Sequence, residues 1–114
     1  VIHEQTFEWK PKVKDRPRFR RQGKTIVTYT PPETIAAEEA FASQYDGPLF
    51  TQPVAVTFDF FNDRVVLRIE EVEDFSNRQL RGDTDNYLKL CGDALNTVAY
   101  ADDRQIVDLR GRKN

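Results

Sequence analysis

Hydrophobic and polar positions alternate most cleanly between Gln52 and Phe61. Val54, Val56, Phe58 and Phe60 fall on one face there, and Ala55, Thr57 and Asp59 on the other, the period of two that a strand requires. Asn62-Asp63 supplies a turn, and Val65 to Ile69 reads as the hairpin partner. A looser alternation from Val1 to Trp9, with Phe7 and Trp9 opposite Glu4, Thr6 and Glu8, predicts another strand. Thr25 to Thr30 is β-branched and aromatic and predicts one more, which forms an arm or hairpin with the residues before Gly23. Pro11 and Pro17 keep the intervening stretch irregular or extended.

Two segments carry helical signals. Thr30 as N-cap, Pro31 at the first helical position and Glu33 three residues after the threonine spell a capping box. An alanine-rich helix from Ile35 to Tyr45 follows, ended by Gly47-Pro48. Asp85 to Leu95 predicts a second helix with Leu88, Cys91 and Leu95 on its buried stripe, closed by Asn96-Thr97. Alternation from Arg104 to Leu109 predicts a last strand entered from Asp102-Asp103, whereas Glu70 to Gln79 is acidic and polar with no clear element. The order implies an α+β fold, a mixed β-sheet with two helices packed on it, and one domain over residues 1–114.

Composition narrows the function classes. The 114 residues contain no apolar run near the ~20 that a membrane-spanning helix needs, and the first residues show no secretory signal, so no membrane partner is expected. Cys91 is the only cysteine and His3 the only histidine, which excludes an internal disulfide, a zinc site of ordinary type and a Ser-His triad. An intracellular, reducing setting is expected, with His3 as a plain strand residue. The net charge of -2 conceals strong segregation. Between Trp9 and Lys24 eight basic residues, Lys10, Lys12, Lys14, Arg16, Arg18, Arg20, Arg21 and Lys24, face Asp15 alone. From Asp83 to Asp108 six aspartates face only Lys89 and Arg104. A basic arm beside an acidic cluster suits an enzyme that holds a polyanion and binds divalent cations against it. A solvated loop beside helix-capping aspartates has the same composition.

Asp83-Thr84-Asp85-Asn86 opens the second helix, and Asp85, Lys89 and Asp93 share one face at helical spacing. If the last strand runs beside that helix, Asp103 joins Asp83 and Asp85 in a three-carboxylate cup, whose hard oxygens suit Mg²⁺ or Mn²⁺. Such a cation would activate water for in-line attack on a phosphodiester. Other readings stand beside this one. Acidic residues favour a helix N-terminus for its macrodipole, and Asp85 with Lys89 has the orientation of an ordinary stabilising pair. An EF-hand does not fit, because Leu88 replaces the obligatory glycine and Ala94 the bidentate glutamate. Arg81-Gly82-Asp83 spells a cell-adhesion triplet with no meaning for an intracellular chain.

Taken together, Asp83-x-Asp85-Asn86-x-x-Lys89, Asp93-Ala94-Leu95-Asn96 and Asp102-Asp103-x-Gln105-Ile106-Val107 resemble the signature of the RusA family of Holliday-junction resolvases. Upstream, Arg16-Pro17-Arg18, Gly23, Tyr29-Thr30-Pro31 and Thr34 are similar to the arm and first helix of phage and prophage members, so the resemblance runs from about Lys14 to Lys113. It implies that Asp83, Asp85 and Asp103 bind Mg²⁺, for which Mn²⁺ can substitute, that Lys89 is the catalytic lysine, and that Asn86, Asp93 and Asp102 support them. Lys14, Arg16, Arg18, Arg20, Arg21 and Lys24 would contact DNA. The partners would be a four-way junction or other branched DNA and a second copy of the chain, since two symmetric nicks call for a two-fold dimer. The setting would be the bacterial cytoplasm and nucleoid, host- or phage-encoded. A broader flap nuclease, or a DNA-binding module that does not cleave, are the alternatives. Thr97 stands where many members have glycine, Gly82 where many have proline, and residues 62–79 are unusually acidic.

Overall fold

The computed structural model describes residues 1–14, 17–73 and 80–113. The chain gathers into two compact units, residues 1–74 and 75–114. The first unit contains β1 (Ile2–Phe7), β2 (Arg18–Gln22), β3 (Thr25–Tyr29), α1 (Pro32–Ala42), β4 (Val54–Phe60) and β5 (Val65–Glu71). The second contains α2 (Thr84–Leu95) and a 3-10 turn, Asp103–Gln105.

Strands β1, β5 and β4 form one sheet in that order, and β2 and β3 form a separate ribbon. Every strand pairing is antiparallel, so the expected mixed sheet is corrected to two antiparallel ones. The reason lies in the connections. Among the described residues each pair joined directly is a hairpin, and no helix crosses over to bring a parallel strand alongside. The β4–β5 hairpin closes where expected, through residues 61–64, with Phe61 N–H donating to the Arg64 carbonyl at 2.9 Å.

β5 is central, and its alternation sends Val65 and Leu67 into the core. Val65 lies opposite Phe7 of β1, and Phe7 is only 1% exposed. Its ring stacks on Phe41 of α1 at 4.2 Å between centroids, with Trp9 edge-on to Phe41 at 5.0 Å. The register places Phe58 opposite Leu67 and Phe60 opposite Val65, on the core side of the sheet. Even so, Val54, Val56, Phe58 and Phe60 are all exposed, and Trp9, Phe41, Phe58 and Phe60 line an apolar groove of about 470 Å³.

Helix α1 starts one residue later than its sequence signals suggest. Pro31, not Thr30, is the N-cap, without any side-chain cap, and the Pro31 carbonyl accepts from Thr34 and Ile35. Pro32 at the first helical position has no N–H, so one donor that a cap would serve is absent. Glu33 instead meets Arg18 at 3.4 Å. The helix ends at Ala42, before the expected Tyr45, because Gln44 is used elsewhere. Its side-chain amide accepts from the Glu8 N–H and donates to the Glu8 carbonyl, both at 2.9 Å, extending the edge of β1 as a neighbouring strand would. His3 is a half-buried residue of β1, edge-on to Tyr45 at 5.1 Å.

With so few fully buried side chains, the Phe7 ring carries a large share of the first unit's stability. Phe7→Ala should cost about 3–5 kcal/mol, read as a large drop in the denaturant midpoint. A midpoint near that of the parent would place the core elsewhere.

Candidate active site and nucleic-acid interface

Asp83 is the N-cap of α2, in extended conformation and with no side-chain cap hydrogen bond, and Asp85 lies in the first turn. The chain is fixed just upstream by Gly82. Its N–H donates to the Tyr87 hydroxyl at 3.0 Å, and its carbonyl accepts from Lys113 Nζ at 3.2 Å. A Cβ at this position would stand 2.9 Å from the Tyr87 ring. The Gly82 departure therefore has a local cause, since proline would remove the donor and collide with Tyr87.

At its other end α2 stops at Asn96, and Thr97 adopts φ 68. The tight return brings the Thr97 N–H to the Tyr100 carbonyl at 2.8 Å, while the Tyr100 hydroxyl donates to the Gly92 carbonyl. A β-branched residue in the left-handed region is strained, and the glycine that the resemblance leads one to expect here would take this turn without that strain. The expected buried stripe is corrected. Leu88 is half-buried, whereas Cys91 and Leu95 are exposed. The extended tail lies on Leu88, whose branch atoms sit 2.8 Å from where a Gly111 Cβ would be.

The expected last strand from Arg104 to Leu109 is absent, replaced by the 3-10 turn and an irregular tail. Local hydrogen bonds outcompete a ladder there. Asp102 Oδ1 accepts from the Arg104 N–H, Gln105 Oε1 accepts from the Asp102 N–H, both at 2.9 Å, and together they form a capping box. Arg104 also pairs with Asp102 at 3.2 Å. These bonds from Arg104, side chain first and backbone second, hold the Asp102 carboxyl below its ordinary value. A depressed folded value means that the cap contributes fully above the ordinary 3.8 and is lost as pH falls through the lower folded value.

This turn brings Asp103 to a groove of about 380 Å³, where it faces Asp85, Lys89 and Asp93 of α2 above Leu88 and Ile106. Lys89 Nζ pairs with Asp93 at 3.3 Å, toward the helix C-terminus rather than toward Asp85. Asp83 does not line the groove. Among the described residues, no three His, Cys, Asp or Glu side chains are close enough to hold one metal ion together. Asn86 is an exposed helix residue and Asp102 caps the turn.

In the first unit the basic arm is partly neutralised at its root. Lys14 pairs with Glu38 at 3.0 Å and Arg18 with Glu33 at 3.4 Å. The Glu33 carboxyl lies below its usual value, first through a hydrogen bond from its own backbone and then through Arg18 and Lys12. Arg20 lies over the Tyr29 ring at 5.6 Å. Arg21 and Lys24 have no ion-pair partner among the described residues, and Arg16 falls outside them.

The family model described as Endodeoxyribonuclease RusA matches residues 8–114. The chain belongs to the RusA endodeoxyribonuclease family. No curated protein and no solved structure matches it. As a RusA-family member it is a metal-dependent endodeoxyribonuclease, and no described helix is long and apolar enough to cross a membrane. The donors on the RusA groove fit a hard divalent cation, because Mg²⁺ commonly takes one or two carboxylates and completes its shell with water and substrate phosphate. Tyr87 and Lys113, which hold Gly82, carry no signal in the linear sequence, since the contacts span five and 31 positions.

Thr97→Gly tests the strained return. Relief of roughly 1–2 kcal/mol of left-handed strain, less about 0.5–1 kcal/mol of added chain entropy, should raise the melting point by a few degrees. A lower melting point would mean that Thr97 is not strained at this site.

Proposed function

We propose that this RusA-family enzyme resolves Holliday junctions and related branched DNA in recombination and repair, by paired symmetric nicks from a homodimer in which each chain acts as one endonuclease domain. The observation that carries this reading is the convergence of Asp85, Lys89 and Asp103 on one groove of a chain that matches the family over nearly its whole length.

Asp85 and Asp103 would hold Mg²⁺, with Mn²⁺ as substitute; Asp83, at the N-cap and off the groove wall, would reach the ion only through a shift of the helix entry when metal and DNA bind. When bound, the ion supplies Lewis acidity and lowers the pKa of a water molecule. The chain's own groups do the rest. Lys89 is exposed on the groove and held by Asp93, an ion pair of little strength in water, so an arriving phosphate can exchange for that carboxylate. Its ammonium then stabilises charge building on the non-bridging oxygens. An effect of the kind seen for oxyanion-hole donors is about a hundredfold or more in rate. Asp102 keeps Asp103 on its turn, and Asp93 keeps Lys89 on the groove side of the helix. Lys14, Arg16, Arg18, Arg20, Arg21 and Lys24 would hold phosphates of the arms, each contact adding about 0.9 to the log–log salt slope on duplex.

Asp83→Asn, Asp85→Asn and Asp103→Asn should each abolish cleavage of a synthetic junction in Mg²⁺ while junction binding survives; near-parental cutting would remove that residue from the metal site. Lys89→Ala should keep its fold, lose no more than about 0.5 kcal/mol of stability and cleave at least about tenfold more slowly under saturating metal, a cautious fraction of the oxyanion-hole effect. Single-turnover rates with enzyme in excess decide the matter. A parental rate would leave Lys89 as the surface partner of Asp93. Light scattering should give a dimer, and a strict monomer, free and junction-bound alike, would refute paired nicking.

A further inference from the structure

The ribbon of β2 and β3 carries more than cations. Directly opposed residues of an antiparallel pair share a face, and faces alternate along each strand. Arg18, Arg20 and Gln22 therefore share one side with Tyr29, Val27 and Thr25, while Phe19 and Arg21 share the other with Thr28 and Ile26. The first side is the sheltered one, for Val27 and Tyr29 are half-buried and Arg20 lies over the tyrosine ring. On the second side every residue is exposed, with Phe19 at 71% and Ile26 at 64%. The turn at its tip is as tight as a hairpin allows. Gly23 has φ 61 and is followed by Lys24, the two-residue loop with glycine first that matches strand twist.

An isolated two-stranded hairpin is marginal in water, and a phosphate-holding arm has no use for an outward phenylalanine. The partner must therefore offer a flat apolar face together with negative charge. Pro17 to Thr30 contains Arg18, Arg20, Arg21 and Lys24 and no acidic residue, which is complementary to a nucleic-acid backbone. Intact duplex supplies the charge but hides the faces of its bases. Where strands part, both are available within a few ångströms of each other, and aromatic side chains stack on such bases whatever their identity.

Building on the branched-DNA reading above, we propose that the ribbon is the branch-point reader of this enzyme: Phe19 stacks on a base left unstacked where strands diverge, with Arg21 and Lys24 on the adjoining phosphates. Ile26, the diagonal neighbour of Phe19 on the same face, flanks the ring. Phe19 thus adds discrimination between branched and linear DNA, a property that phosphate contacts alone do not provide.

The test uses the full chain in chelator, so that nothing is cut, with a four-way junction carrying 2-aminopurine at the exchange point and a linear duplex of the same sequence. Parent protein should change the fluorescence of the junction probe and leave the duplex probe unchanged. Phe19→Ala should abolish that change and weaken junction binding about five- to hundredfold, while duplex affinity and the salt slope stay as in the parent. Phe19→Trp keeps an aromatic face and guards against a misfolded ribbon. It should bind as the parent does and show quenching by junction beyond the Trp9 background. Equal losses on junction and duplex, an unchanged fluorescence response in Phe19→Ala, or an unquenched Trp at position 19 would overturn the assignment. So would conversion of a dimer to a monomer by Phe19→Ala, which would make this face a contact between copies. A parent that does not distinguish junction from duplex refutes the branched-DNA reading itself; a parental preference that Phe19→Ala retains refutes only the role of Phe19.

Discussion

Phosphate has to be brought onto a surface that is already negative. Six aspartates between Asp83 and Asp108 face two cations, and Asp85, Asp93 and Asp103 stand on one groove. Before any metal binds, such a surface repels DNA. The proposed chemistry therefore depends on cation charge from outside the chain and on Lys89, the only basic residue among the described ones that line that groove. Its ion pair with Asp93 resolves an otherwise awkward requirement, since an ammonium free to wander on an exposed helix would be poorly placed when substrate arrives. A weak tether in water holds it near the groove yet yields to a phosphate.

The same constraint explains how cations are distributed in the first unit. Lys14 and Arg18, at the root of the basic stretch, are tied to Glu38 and Glu33 of α1, while Arg21 and Lys24, toward the tip, have no ion-pair partner among the described residues. The unpaired cations would meet the polyanion first, and the weak exposed pairs of Lys14 and Arg18 would then exchange their carboxylates for phosphate. Electrostatic attraction of this kind draws in any DNA, and at physiological salt it fades within about 8 Å. Selecting branched from linear DNA, as proposed, would need a contact of another sort, which Phe19 on the outward face would supply.

Elements held by short-range patterns were legible in the sequence. The β4–β5 hairpin, the ribbon around Gly23 and α2 follow from alternation, turn residues and helical spacing, whereas the outward placement of Phe19 was not read from the sequence and emerges only from the β2–β3 register. Failures occurred where local hydrogen bonding overrode a pattern. Ile106, Val107 and Leu109 alternate as a strand does, yet the Asp102–Gln105 capping box turns the chain into a 3-10 turn first. Thr30 and Glu33 spell a capping box that two successive prolines make unnecessary. For the site, helix geometry correctly put Asp85, Lys89 and Asp93 on one face, and the turn brought Asp103 to the same groove. Spacing alone did not predict that Lys89 would lean toward Asp93, or that Asp83 would stay off the groove wall.

Both departures from the family pattern lie at the ends of the helix that carries this chemistry. Gly82 precedes it, pinned by Tyr87 and Lys113, and Thr97 follows it at positive φ. Proline and glycine would set these two turns through backbone preference alone. Here the same task falls to side chains. The Tyr87 hydroxyl restrains the approach to Asp83, and the Tyr100 hydroxyl, on the Gly92 carbonyl, ties the strained return to the body of α2. Displacing a charged group by about 1 Å costs orders of magnitude in rate, so the orientation of Asp85 and Lys89 is only as good as the anchoring of the helix ends. Tyr87 and Tyr100 touch no proposed ligand, yet the precision of the proposed site would rest on them.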